Sequence, residues 1–68
     1  MTVIIGADAQ GEKLKNIITE YLQANAYDFL DVTNVDKDLV ENTVAVANAV
    51  NQSEDNLGVM IDAYGAAS

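Results

Sequence analysis

Cysteine, histidine and arginine are all absent from this 68-residue chain. Without cysteine no disulfide compensates for a small core, and the redox compartment leaves no mark on the sequence. Without cysteine and histidine, zinc sites built on those ligands, thiol or imidazole catalysis and a Ser-His-Asp triad are excluded within the chain. Cations are scarce: 3 lysines stand against 11 Asp and Glu, for a formal net charge of −8 and a pI near 4.1. Duplex affinity depends on cations facing phosphates, so nucleic acid is not an expected partner. An anionic membrane surface would repel the same charge. Apolar runs are short, far from the roughly 20 residues a spanning helix needs, so no membrane is expected. The first residues, Met-Thr-Val-Ile-Ile-Gly, lack the basic segment of a signal peptide, and a cytoplasmic protein is expected.

Half of the residues are apolar, too many for a typical disordered chain. The length fits one domain. A 60-residue domain buries only about 60% of its unfolded surface, so the core is expected to be thin.

Thr2 to Ala7 holds the β-branched run Val3-Ile4-Ile5, closed by Gly6, and reads as a strand buried on both faces. Leu14, Ile17, Ile18, Tyr21 and Leu22 then recur at helical spacing, which predicts a helix over Gln10 to Ala24 with that stripe inward. Asp8 fits its N-cap and Asn25 a left-handed stop. Tyr27 to Val32 reads as an edge strand, its apolar character broken by Asp28 and Asp31. Thr33 to Lys37 reads as a loop. Asp38 fits the cap of a second helix over Leu39 to Asn51, with Val40, Val44, Ala47 and Val50 as its stripe and Thr43 and Val46 alongside. Gln52 to Asn56 is polar, and Leu57 to Ile61 reads as a third strand ending at Asp62. The order β-α-β-α-β implies an α/β fold with a parallel sheet and right-handed crossovers.

The first strand-helix turn, Gly6 to Lys13, fails two phosphate motifs. Asp8 interrupts a G-x-G-x-x-G fingerprint, and Glu12 stands where a P-loop needs lysine. Both carboxylates oppose an anion that the turn amides attract. Asp8 therefore reads either as a capping residue or as part of a site. Asp62 lies at the carboxyl end of the third strand, where open α/β sheets bind ligands. It reads either as a base tuned by burial or as a strand-end group bonded to loop amides. The tail from Ala63 to Ser68 is small and glycine-containing, as in a loop that approaches a ligand and opens another helix. Three strands would leave the outer edge of the third unpaired. The chain is thus expected to be the N-terminal half of a larger α/β domain, spanning 1–68, and marginal or aggregating on its own.

Several segments resemble the ribose/galactose phosphate isomerase family. They are residues 3–8 (Val-Ile-Ile-Gly-Ala-Asp), Gly11 with Leu14-Lys15, Asp31-Val32-Thr33, Val44-Ala45-Val46-Ala47 and residues 56–66 from Asn56 to Ala66. Within the last block, Ile61-Asp62-Ala63-Tyr64-Gly65 is the most specific part. The resemblance implies a doubly wound, Rossmann-like parallel sheet. It also implies conversion of aldose to ketose phosphates through an enediolate, without metal or cofactor. Resemblance to an A-type subunit implies a B-subunit partner, galactose 6-phosphate and tagatose 6-phosphate as sugar phosphate substrates, a place in lactose and galactose catabolism, and active sites between subunits.

Carried over by position, the family's Asp-His after the first strand falls on Asp8 and Ala9, so the histidine is missing. The Cys base and Gly-Thr-Gly of catalytic members fall on Asp62, Ala63, Tyr64 and Gly65, of which Gly65 alone matches. Asp8 and Asp62 are the catalytic candidates, Asp8 and Gly65 the substrate-binding ones. The family's His-Asn pair and phosphate-binding arginines belong to a second half. Two other readings remain open: a non-catalytic scaffold or interaction module on the same fold, and a flavodoxin-like binding domain.

Overall fold

The computed structural model describes residues 1–34, 36–62 and 65–67, the last three by their backbone alone. The strands are β1 (Thr2–Ala7), β2 (Asp28–Asp31), β3 (Asn56–Asp62) and β4 (Gly65–Ala67), and the helices are α1 (Glu12–Ala24) and α2 (Leu39–Val50). A short 3-10 turn, Ala9–Gly11, joins β1 to α1.

The sheet order is β2-β1-β3-β4. β1 is central and parallel to both neighbours, with Ile5 opposite Asp31 on one side and Val59 on the other. Val3 to Ala7 are all buried, as a strand covered on both faces requires. Period-two alternation divides them between two layers. Val3, Ile5 and Ala7 form one core with Leu22 and Ile61, joined by Ile18, Phe29 and Val59, on the α1 face. Gly6 turns the other way: a Cβ there would stand 2.6 Å from Val46 Cγ2 and 3.1 Å from Met60 Sδ. Gly58 is similar, 2.9 Å from Val50 Cγ2. These two glycines form the seat of α2. The sheet is therefore wound on both faces, as expected.

The rotation of both helices departs from the expected stripes. α2 turns Asn42 and Val46 fully inward, with Val50 half-buried, because Val46 and Val50 fill the glycine seats. Val40 and Val44, expected inside, are 68% and 53% exposed. α1 turns Lys15, Ile18 and Leu22 inward, whereas Ile17 and Tyr21 stand 61% and 62% exposed.

Several boundaries also differ, those of α2 and β3 by one residue at an end. α1 begins at Glu12, because Asp8 caps the 3-10 turn that precedes it. β2 spans Asp28–Asp31, shorter than the expected 27–32. The tail does not open a helix at 65–67: β4 pairs antiparallel with β3, Ile61 opposite Ala66, and covers the edge expected to be bare along Met60 to Asp62. An unpaired strand edge is a template for any extended backbone nearby. The left-handed residue after α1 is Ala26 (φ 58), not Asn25.

Ala26 N–H donates to Gln23 O and Tyr27 N–H to Leu22 O, the paired bonds of a Schellman stop. That motif needs φ > 0 at its first residue beyond the helix, which costs an L-residue about 1–2 kcal/mol. Ala26→Gly is expected to stabilise the chain by about 0.5–1 kcal/mol after glycine's greater unfolded-state freedom is deducted. The check is a higher urea midpoint with an unchanged slope.

Candidate functional site

The crossover from β1 leads to one side and the crossover into β3 to the other, so the sheet has its switch point between β1 and β3. The last register pair there is Ala7 and Ile61. Asp8 and Asp62 each follow it by one residue, and Gly65 lies opposite Asp62 across β3 and β4. All three candidate residues thus meet at one edge of the sheet.

Asp8 is extended (φ −84, ψ 177) and half-buried. Its N–H donates to Ile61 O at 3.2 Å, and its Oδ1 accepts from Gly11 N–H at 2.7 Å. It caps the turn, as one of the two sequence readings has it. Gly11 is buried against β3, where a Cβ would stand 2.6 Å from Ile61 O. Asp62 is half-buried and engaged in an interaction. Of the loop amides that follow it, those of residues 63 and 64 lie outside the described residues.

The 3-10 turn before α1 and the N-terminus of α2 each hold a carboxylate of their own. Asp38 Oδ1 accepts from Glu41 N–H at 2.8 Å, the counterpart of Asp8 on Gly11. Lys15 is held by Asp31 at 2.9 Å, and Lys37 stands 3.8 Å from Glu41. An arriving phosphate would find the Gly11 and Glu41 amides taken and Lys15 and Lys37 paired. Among the described residues no group of three or more His, Cys, Asp or Glu is placed to hold a metal ion. No helix among them is long and apolar enough to cross a membrane.

Four residues outside the site candidates shape this edge: Asn42, Thr33, Asp31 and Lys15. Asn42, 1% exposed, donates from Nδ2 to Asn34 O, Lys37 O and Asp38 O, and accepts at Oδ1 from Asn34 N–H. It pins the loop between β2 and α2. Thr33 Oγ1 accepts from Ala7 N–H, and Thr33 N–H donates to Asp31 Oδ1. Lys15, buried under α1, closes the group on Asp31 Oδ2. Its spacing from Gly11, Ile18 and Leu22 puts it on the inward face of α1.

Burial pushes the Asp31 carboxyl up, but the Thr33 side chain, Lys15, the Thr33 amide and the lysine charge together outweigh it. They hold the carboxyl below its ordinary value of 3.8. A depressed folded-state value adds stability that is complete above the unfolded-state value and is lost as pH falls through the folded-state one. Asp31→Asn is therefore expected to flatten the acid side of the stability profile. Urea midpoints measured from about pH 5 down to about pH 3 should fall less steeply in the variant.

A profile of the Ribose/Galactose Isomerase family matches residues 3–68. Among curated proteins, the chain is 53% identical over 66 residues to the galactose-6-phosphate isomerase subunit LacA of Streptococcus equi subsp. zooepidemicus, covering 97% of this chain and 47% of that protein. It is 53% identical to a Streptococcus pyogenes LacA 1 with the same coverage. It is 56% identical over 69 aligned positions to LacA of Staphylococcus epidermidis, covering 100% of this chain and 49% of that one. The chain spans about half the length of the curated relatives it matches. No solved structure matches.

Proposed function

The chain belongs to the ribose/galactose isomerase family, and from that premise we propose that it is the N-terminal half of an A subunit of galactose-6-phosphate isomerase. With a B subunit, the complete protein would interconvert galactose 6-phosphate and tagatose 6-phosphate. The observation that carries this reading is the 53–56% identity, along nearly the whole chain, to proteins named as that subunit.

Aldose-ketose interconversion moves a proton between C2 and C1 through an enediolate. It needs a base poised near neutral pH, an acid for the oxygens and a clamp for the phosphate. Of this chain's groups, Asp8 and Asp62 stand at the sheet edge, where Lys15 and Lys37 are paired with Asp31 and Glu41. Asp8 orients the turn through Gly11, and Asp62 holds the end of β3. The base and the phosphate clamp come from the B subunit and from the second half of the A subunit. The exposed Ile17 and Tyr21 on α1, with Val40 and Val44 on α2, support a chain that is covered in its working state.

The test assays the 68-residue chain alone, then the full-length A subunit with B. No turnover is expected from the chain alone, and turnover from the complete pair. Asp62→Asn in the pair keeps much of the hydrogen-bonding shape but cannot act as a base. It is expected to lower kcat less than about tenfold, against the 10²–10⁴-fold of a lost general base. A larger loss in an assembly that stays intact by size exclusion would make Asp62 the base. Turnover that is absent from a well-assembled pair would favour the scaffold reading.

A further inference from the structure

We propose that Thr33, aligned by the Lys15–Asp31 ion pair, is a positioning residue that fixes the Ala7–Asp8 end of β1 at the candidate site. The proposal rests on the reading that this edge of the sheet is the active one.

Each backbone donor at the end of β1 needs an acceptor. In a parallel ladder, one strand's N–H groups find carbonyls on the neighbouring strand at alternate residues. β1 follows this rule with β2 as far as Ile5, whose O accepts from Val32 N–H at 2.8 Å. The next β1 donor on that side is Ala7 N–H. By then β2 has ended at Asp31, and the chain is turning towards α2. A buried N–H without an acceptor is costly, so a substitute is needed. Thr33 Oγ1 supplies it at 3.1 Å, a side-chain oxygen standing where a strand carbonyl would be.

A hydroxyl on a loop is a poor ruler unless it is itself held. Thr33 N–H donates to Asp31 Oδ1 at 2.9 Å, and Asp31 Oδ2 lies 2.9 Å from Lys15 Nζ. The lysine side chain is 11% exposed and projects from α1, the helix that starts beyond Asp8. The path runs from α1 through the end of β2 to the end of β1. On its other side the same segment is tied to β3, by Asp8 N–H to Ile61 O. Asp8 therefore follows a peptide whose β2 side depends on one threonine hydroxyl.

The experiment compares Thr33→Val, which keeps the shape and removes the hydroxyl, with Thr33→Ser, which restores it. Amide exchange is read residue by residue in the chain and in the full-length subunit, with Ile5 as the reference for global opening. Thr33→Val is expected to speed Ala7 exchange about tenfold relative to Ile5, the protection of one hydrogen bond. Thr33→Ser should stay within about threefold of wild type, and Asp31→Ala should fall between the two. In the full-length pair, kcat per folded subunit should drop about tenfold in Thr33→Val and recover in Thr33→Ser, as misplacement at a reacting centre would cause. Ala7 exchange that tracks Ile5 in Thr33→Val, a serine that fails to restore it, or unchanged kcat would each overturn the proposal. Absent wild-type turnover with the exchange pattern intact would support the positioning path and overturn the isomerase reading alone.

Discussion

Gly11→Ala is expected to destabilise the chain by about 3 kcal/mol, at the upper end of what overpacking costs. The added methyl would stand 2.6 Å from the Ile61 carbonyl oxygen and 2.9 Å from its carbon. Those are main-chain atoms of β3, next to the Asp8 N–H bond to the same oxygen. No rotamer change relieves the contact; the start of α1 must lift off the sheet. Gly58→Ala is the control. Its nearest neighbours are the side chains of Val50 and Val46, at 2.9 and 3.1 Å, which can turn aside. It is expected to cost no more than about 1 kcal/mol, because a strand interior also favours alanine over glycine. Urea midpoints of the two variants, with wild type alongside, separate the cases. Similar losses in both would mean that α1 has room to move. Stabilities of this size of domain run to about 0.05–0.15 kcal/mol per residue, so the Gly11 loss alone removes a large share of the total.

Asn42→Leu is the second large effect, at about 2–4 kcal/mol. Leucine fills much of the same volume but cannot serve Asn34 N–H, Asn34 O or Lys37 O, and a group left without its partner costs up to about 1–3 kcal/mol, less where water reaches it. Asp38 O is spared in part, since it also accepts Asn42 N–H. Thr43→Ala, one residue along, removes an exposed bond from Oγ1 to Leu39 O and is expected to stay within about 0.5 kcal/mol. Thermal midpoints of the two variants give the contrast. A leucine variant as stable as the threonine one would show that the loop between β2 and α2 holds without its central amide.

The element order and the two faces of the sheet were legible because β1 is short, continuous and β-branched and because the helices are periodic. Periodicity, however, marks an apolar arc and not the part of it that turns inward. On α2 that choice belongs to Gly6 and Gly58, two strands apart in sequence but adjacent in the sheet. On α1 it belongs to Gly11 and to a lysine that finds Asp31. Nothing in Gly65-Ala66-Ala67 suggests a strand; the neighbouring edge of β3 makes it one. Asp8 and Asp62 could be placed because strand ends at a switch point are predictable. Thr33 could not, since its role depends on the residue at which β2 leaves the sheet. The choice of Ala26 over Asn25 as the left-handed residue follows from where α1 ends, one residue beyond the resolving power of a cap rule.

The glycine seats make the positions of the sheet respond differently to a change of side-chain volume. Against α1, the layer of Val3, Ile5, Leu22 and Ile61 is filled by large groups, so trimming any of them opens a void. Against α2, the buried bulk of Ile4 and Val46 stands beside two places where side chains are missing, so both trimming and filling alter the fit, although Val46 and Val50 can yield to a methyl. A sequence drifting under selection for folding would keep its bulk at one set of positions and its smallness at Gly6, Gly11 and Gly58. Exchanging the two would leave composition and hydropathy unchanged while the helices lost their seats.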